Sequence, residues 1–459
     1  MDRRWELIVF PLICILASWL ALSQTTQVNL WVLVGVIAIP ISIASLLRPD
    51  IGLLSVISIA FLLPGLEEMA GLNHLRIGFD VLLLVNVVGT LIYIYRHDVG
   101  AYWTHWLGIF VGLWMVYALV ILGKFPDYFS MTFLGGIEQY VFPGLMFWVA
   151  LYAMHDLKSI RLFTHFLLSI GVIVAIYGLL QKFIGTSTRT GSELLSDPAL
   201  YASYYINGRF RIDSFFADPT LFGISMASLA VFAYVNLVGP WRKNNLAAYM
   251  ISLPIFISAM VFSRTASAYI VIGVGLLLFL LLSFKKHLVW GICGLFLVGI
   301  GFFSLNHSSE WMEQFTPVSI ESASATSMSA AVASASQMYL FGEGYLKELS
   351  EGNSASIDNI MLNSYKRGGF DQIAWQLGWV GVAIFALLIL MVFWIGIRGF
   401  AKSRDIRVRN SYLVYLVSVF VWVIANYYYP VLTQIPISIV FMVSAAILVK
   451  LGQIEHVSD

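Results

Sequence analysis

Apolar runs about as long as a bilayer is thick follow one another along this chain, and each is long enough for a helix of about 20 residues to cross hydrocarbon. A first set lies at 7–22, 29–47, 51–65, 78–95, 106–123, 134–154 and 162–184. A second set lies at 215–238, 246–262, 266–283, 288–305, 372–397, 411–428 and 431–449. Lipid offers the backbone no hydrogen-bond partner, so such runs read as helices that satisfy their own N–H and C=O groups. The expectation is a single all-α polytopic membrane domain over 1–459, with about fourteen transmembrane helices and roughly twelve at the fewest. A chain that is 59% hydrophobic and only 11% charged cannot be wrapped as a soluble single-core domain. No basic tract with interleaved aromatics is present, which excludes a nucleic-acid binder. Cys14 and Cys293 both fall inside apolar runs, so neither a disulfide framework nor a cysteine metal site is expected. Arg3 and Arg4 precede the first run in the manner of a signal peptide; an uncleaved first helix is the expectation, because no soluble domain follows for a leader to export.

Basic connectors are retained on the cytoplasmic side. With both termini placed inside, that side collects Arg3, Arg4, Arg48, Arg96, Lys158, Arg161, Arg242, Lys243, Lys285, Lys286, Arg398, Lys402, Arg404, Arg407, Arg409 and Lys450. The outer side keeps Arg76, Lys124, Lys182, Arg189, Arg209, Arg211, Arg264, Lys347, Lys366 and Arg367, which run against the bias. Two outer connectors are long, 185–214 and 306–371, and long loops on a compact bundle are usually functional or disordered.

The stretch Ile206-Asn-Gly-Arg-Phe-Arg-Ile-Asp-Ser-Phe-Phe-Ala-Asp-Pro-Thr220 sets two arginines and two aspartates against the start of an apolar run. Charge persists beside a bilayer mainly where it pairs, faces water or does work. Tyr201, Tyr204 and Tyr205 just ahead suit the headgroup region. Asp218-Pro219 reads as a helix entry, aspartate at the cap and proline at the first helical position. Asp218 is therefore first a cap and second a catalytic candidate, and Asp213 is equally readable as an ion-pair partner of Arg209 or Arg211. In the short connector Ser263-Arg264-Thr265 an arginine stands where one helix ends and another begins. The N–H groups and positive dipole end of a new helix favour an anion, and a guanidinium adds a two-pronged fork for phosphate. The competing reading of Arg264 is a snorkelling anchor. Glu138, in the outer half of its run, either faces the same cavity or pairs with a neighbour.

The chain resembles the O-antigen ligase and polysaccharide polymerase superfamily, the Wzy and WaaL-type membrane glycosyltransferases. The resemblance rests on Arg211-x-x-Ser-Phe-x-Asp-Pro opening a helix, on Ser263-Arg264-Thr265-Ala266, and on a large late outer loop ending before Gly378-Trp-Val-Gly381. Within that loop, Ser319–Gln337 is rich in small residues, Leu340-Phe-Gly-Glu-Gly-Tyr345 is similar to a glycine pair of the superfamily, and Asp358-Asn359 resembles an Asp-Asn pair of some polymerases. The ligases carry a histidine where this chain has Arg367, and neither His74 nor His307 fits that place, so the polymerase branch is preferred. The resemblance implies a glycosyltransferase-C-like bundle in the bacterial inner membrane that works at the periplasmic face. It implies joining of polyprenyl-pyrophosphate-linked repeat units into O-antigen or exopolysaccharide, without nucleotide sugar or cofactor, and alongside a regulator of chain length or other assembly proteins.

Cleavage between an anomeric carbon and pyrophosphate builds negative charge on the leaving group, which fixed cations stabilise. Arg211 and Arg264 are the first candidates for that work, with Arg209, Arg367 and then Lys366 behind them. The acceptor hydroxyl has to surrender its proton to a nearby carboxylate or histidine, for which Asp358, Asp218, Asp213 and Glu343 are the candidates. No Asp-x-Asp pair or ligand spacing points to a metal. A ligase acting on lipid A core is the first alternative. A flippase for the same lipid-oligosaccharide is the second, and it predicts internal repeats and midplane charges; the sequence shows no convincing repeat. An assembly subunit is the third, and it predicts dispensable outer arginines.

Overall fold

The structure, a computed structural model, describes residues 38–70, 75–97, 105–123, 131–184, 204–206, 209–239, 246–283 and 368–458. A short apolar helix, Ala38–Leu47, leads into α1 (Pro49–Ala70), α2 (Leu75–His97) and α3 (Trp106–Leu122). Then come α4 (Met131–Tyr140), α5 (Phe142–Ala153) and α6 (Leu157–Ile184). A two-residue antiparallel pair, β1 (Tyr205–Ile206) and β2 (Arg209–Phe210), precedes α7 (Pro219–Val238), α8 (Leu246–Ser263) and α9 (Ala266–Ser283). The described chain ends with α10 (Gly369–Lys402), α11 (Ile406–Tyr428), a 3-10 turn at Val431–Thr433 and α12 (Ile437–Ser458). Among the described residues, nine helices are long and apolar enough to cross a membrane, or ten if α4 and α5, bent by 42°, form one crossing. The chain is an all-α polytopic membrane protein in its described part. The expected spans at 7–22 and 288–305, part of that at 29–47, much of the connector 185–214 and nearly all of the connector 306–371 lie outside the described residues.

The bundle is built around α7, which is buried on almost every side and packs against α8, α9, α11 and α6. Gly223, Ala227, Ala230 and Ala233 let those neighbours approach, as small residues do where no hydrophobic force acts between helices in lipid. The hydroxyls of Ser225 and Ser228 are silenced by donation to the carbonyls of Leu221 and Ile224, 2.7 and 2.8 Å. The helix α12 is the second central column, packed on α5, α10 and α11. Large apolar side chains on α2 and α3, such as Leu91, Leu113 and Val116, stay exposed and face the surroundings that lipid would fill.

Two spans are interrupted where they meet. The bend at Val141 has Pro143 in the first turn of α5, and α10 is broken at Gly378, whose φ of 74° and ψ of −179° suit only glycine. The Tyr140 hydroxyl donates to Gln376 Oε1, and the Tyr117 hydroxyl donates to the Leu377 carbonyl at 2.6 Å. The backbone group freed by the break is thus answered by a neighbouring helix, which is what makes a break tolerable at membrane depth.

The last span begins later than its hydropathy implies, at Ile437 rather than 431. Pro430 and Pro436 remove two N–H groups within seven residues, so that stretch becomes a 3-10 turn instead of a first helical turn. The span expected from 215 likewise starts at Pro219, after a turn. Gly378→Ala forces a Cβ into a conformation that glycine alone adopts freely. The variant is expected to lose about 1–3 kcal/mol, read as a lowered thermal midpoint in detergent; an unchanged midpoint contradicts the need for glycine.

Candidate functional site

Chain alternation puts the start of α7 at the same end as the α8–α9 turn and the start of α10 at the same end as the end of α11, and the bond from Tyr429 to Asp218 joins the two. The segment from Arg211 to Thr220 is fastened there on several sides. Ser214, at a φ of 57°, receives a double clamp from α6: its N–H donates to Gln181 Oε1 at 2.8 Å, and Gln181 Nε2 donates back to its carbonyl at 3.3 Å. The Ser214 hydroxyl donates to the Val174 carbonyl at 2.6 Å. On the other side, Gly65 N–H of α1 donates to the Phe215 carbonyl at 3.0 Å, Phe215 stacks on Tyr177, and Phe216 packs edge-on against Phe61.

These fastenings aim Arg211 into the α8–α9 turn. Its Nε donates to the Ser263 carbonyl at 2.8 Å, and its Nη2 donates to the Thr265 and Thr220 hydroxyls at 3.1 and 3.2 Å. The Thr265 hydroxyl in turn donates to the Pro219 carbonyl at 3.1 Å. One guanidinium therefore ties the first turn of α7 to the junction of α8 and α9. Arg211 is only 7% exposed. Burial pulls its pKa down to about 10, against the pull of Asp218 and with the help of nearby Arg264, and it stays charged at neutral pH. Arg264, half-buried, occupies the turn itself with a φ of 52°, and its N–H donates to the Val261 carbonyl at 3.1 Å. Gly223 makes room for the junction: a Cβ there would lie 2.2 Å from Ser263 Oγ and 2.4 Å from Thr265 Oγ1.

Asp218 caps α7. Its Oδ1 accepts from the N–H groups of Thr220 and Leu221 at 2.7 and 3.0 Å, and its Oδ2 accepts from the Tyr429 hydroxyl at 2.6 Å. The cap expected from Asp218-Pro219 is present, with a tyrosine at the end of α11 as an added partner. Asp213, fully buried, accepts from the Tyr204 hydroxyl at 2.8 Å. Arg209 is placed by its backbone, opposite Ile206 in the two-residue ladder. Asp358, Glu343, Lys366 and Arg367 lie outside the described residues. Glu138 pairs with Arg76, whose Nε stands 2.8 and 2.6 Å from its two carboxylate oxygens. Among the described residues no three His, Cys, Asp or Glu gather as a metal site.

The sequence reading missed the partners of Arg211 and the role of Tyr429. Ser263 and Thr265 flank Arg264 in the quoted connector, and Tyr427-Tyr428-Tyr429-Pro430 ends an apolar run as an interfacial aromatic cluster does. The ladder of Tyr205–Ile206 with Arg209–Phe210 was also signalled, by Asn207-Gly208 between them, the strongest short hairpin signal. Compared with known proteins, the chain matches no family model and no curated protein.

The two arginines are expected to behave oppositely in stability. Arg211→Lys replaces a planar fork by a single ammonium nitrogen that cannot reach both the acceptor met by Nε and those met by Nη2, at a cost of about 2 kcal/mol. Arg264→Gly relieves a left-handed residue and is expected to gain up to about 1 kcal/mol. Thermal unfolding in detergent checks both, and equal losses would contradict the assignment of Arg211 as the tie and Arg264 as the strained position.

Proposed function

We propose that this chain is a membrane glycosyltransferase of the polymerase type, which joins polyprenyl-pyrophosphate-linked repeat units at the periplasmic face of the bacterial inner membrane. The observation that supports it best is Arg264, a long charged side chain kept at a left-handed backbone position, beside buried Arg211 and at the start of α9. Strain of this kind costs on the order of 1–3 kcal/mol and tends to cluster at functional sites. A glycine would make the same turn without that cost, so the guanidinium itself is the reason for the residue.

In this reading the acceptor hydroxyl oxygen attacks the anomeric carbon as its bond to the pyrophosphate oxygen breaks. The electron pair leaves on pyrophosphate, where Arg264 and the first N–H groups of α9 meet the growing charge. Arg211 acts mainly as the positioning residue that fixes this turn against α7 and adds a second positive charge. Asp218 is committed to capping α7, with Tyr429 holding its far oxygen, and Asp213 is fully buried with one oxygen on the Tyr204 hydroxyl. The proton of the acceptor is therefore assigned to a carboxylate of the late loop, Asp358 or Glu343. The basic connectors at the opposite end, carrying Arg48, Arg96, Lys158, Arg161, Arg404 and Arg407, support a cytoplasmic placing of that end.

Purified protein incubated with a purified lipid-linked repeat is expected to give a ladder of longer lipid-linked chains, in chelator as well as without it. Transfer only to a lipid A core would make it a ligase, and altered sidedness in liposomes without product a flippase. Arg264→Gly is expected to abolish the ladder while the thermal midpoint is kept or raised. Wild-type activity in that variant refutes the role given to the guanidinium.

A further inference from the structure

A second set of donors lies at the same end, where α10 begins. Its cap residue, Gly368, has no side chain to cap with, and the first intrahelical bond is from the Gln372 N–H to the Gly368 carbonyl at 3.0 Å. The N–H groups of Gly369, Phe370 and Asp371 thus have no acceptor within their own helix. Against this turn stands Asn426 of α11, fully buried. Its Oδ1 accepts from the Leu432 N–H at 3.0 Å, which fixes how the amide is turned. Its Nδ2 is buried with no hydrogen-bond partner. The backbone comes so close that a Cβ on Gly369 would lie 2.1 Å from Asn426 Oδ1 and 2.6 Å from Nδ2. A buried donor is ordinarily paired. The Tyr427 carbonyl and the Asp371 carboxylate border Gly368, 2.4 and 3.4 Å from where its Cβ would lie, yet Asn426 Nδ2 bonds to neither, so an incoming acceptor is what would answer it together with the N–H groups of the turn.

We propose that the first turn of α10 and Asn426 Nδ2 form a second anion subsite, which takes a phosphate group of a lipid. The inference rests on the polymerase reading and extends it. A polymerase handles two lipid-linked diphosphates, that of the chain being transferred and that of the repeat receiving it. A single guanidinium pair serves the leaving one. The last turn of α11 joins the two places, since Asn426 borders α10 while Tyr429 donates to Asp218 at the start of α7. Gly369 has to be glycine because the Asn426 amide occupies the place of its Cβ. Entry is past half-buried Gly368 and exposed Asp371, whose carboxylate sits in the same first turn and opposes an anion there.

Binding to the full-length protein in detergent is titrated calorimetrically with two probes, inorganic pyrophosphate and a short-chain phosphatidylglycerol. Asn426→Asp keeps the acceptor for Leu432 N–H but puts charge in place of the donor, and is expected to weaken one class of sites by about tenfold or more. Asp371→Asn changes an exposed side chain, leaves folding intact, and is expected to tighten the same sites about twofold. Loss for pyrophosphate identifies a carrier diphosphate, and loss for phosphatidylglycerol alone identifies a phospholipid headgroup; either supports the subsite. Affinities for both probes that ignore both substitutions overturn it. If Arg264→Gly lowers pyrophosphate binding while the Asn426 and Asp371 variants change the binding of neither probe, this inference falls and the proposed function stands. If no variant affects either probe, both fall.

Discussion

A guanidinium taken out of water has to find acceptors for its N–H groups, and the structure around α7 is arranged to supply them to Arg211. The Thr220 hydroxyl comes from the first turn of α7, and the Ser263 carbonyl and Thr265 hydroxyl from the α8–α9 turn, so Arg211 cannot be satisfied unless α7 and the α8–α9 pair are in register. Hydrogen bonds to a charged group are worth about 1.5–3 kcal/mol each, while leaving the charge buried and unanswered would cost more. The lock therefore selects one arrangement of these helices and fixes the turn that carries Arg264. Gly223 is the steric counterpart of this electrostatic demand, since any side chain there would push the junction away.

The same logic runs through the other interruptions of the bundle. Gly378 frees the Leu377 carbonyl and Tyr117 answers it; the bend before α5 places Tyr140 against Gln376. On the far side of the 3-10 turn, the Thr433 hydroxyl donates to Gln372 Oε1 at 3.0 Å. A band of buried hydrogen bonds thus crosses the end of the bundle that carries the arginines, linking α4, α10, the 3-10 turn and, through Tyr429, the start of α7. Polar groups in such a place are costly unless fully paired, and when paired they fix one geometry. A site that has to meet charge on a leaving group needs that rigidity.

Much of this was legible in the sequence because it is written in short-range chemistry. Apolar runs marked the spans, Asp218-Pro219 marked the start of α7, and two of the arginines that break the charge bias, Arg211 and Arg264, lie together. What could not be read were pairings between distant positions. Nothing local tells that Tyr429 donates to Asp218, that Gln181 clamps Ser214, or that Arg76 meets Glu138. Each pair joins helix ends whose neighbourhood is set by packing. The start of the last span was misplaced because hydropathy weighs Val431, Leu432 and Ile435 as helix while the prolines beside them forbid the first turn. Four of the candidates, Asp358, Glu343, Lys366 and Arg367, belong to a stretch that short motifs alone identified.

The central claim is that Arg264 and the helix start beside it grip a diphosphate while a sugar is handed on. It is tested most directly by a cryo-electron-microscopy structure of the full chain with a lipid-linked repeat bound. The account expects the diphosphate at the α8–α9 turn, with its oxygens within hydrogen-bond reach of the Arg264 guanidinium and the first N–H groups of α9. A diphosphate seated at the opposite end of the bundle, or at this end with Arg264 turned away from it, would contradict the account.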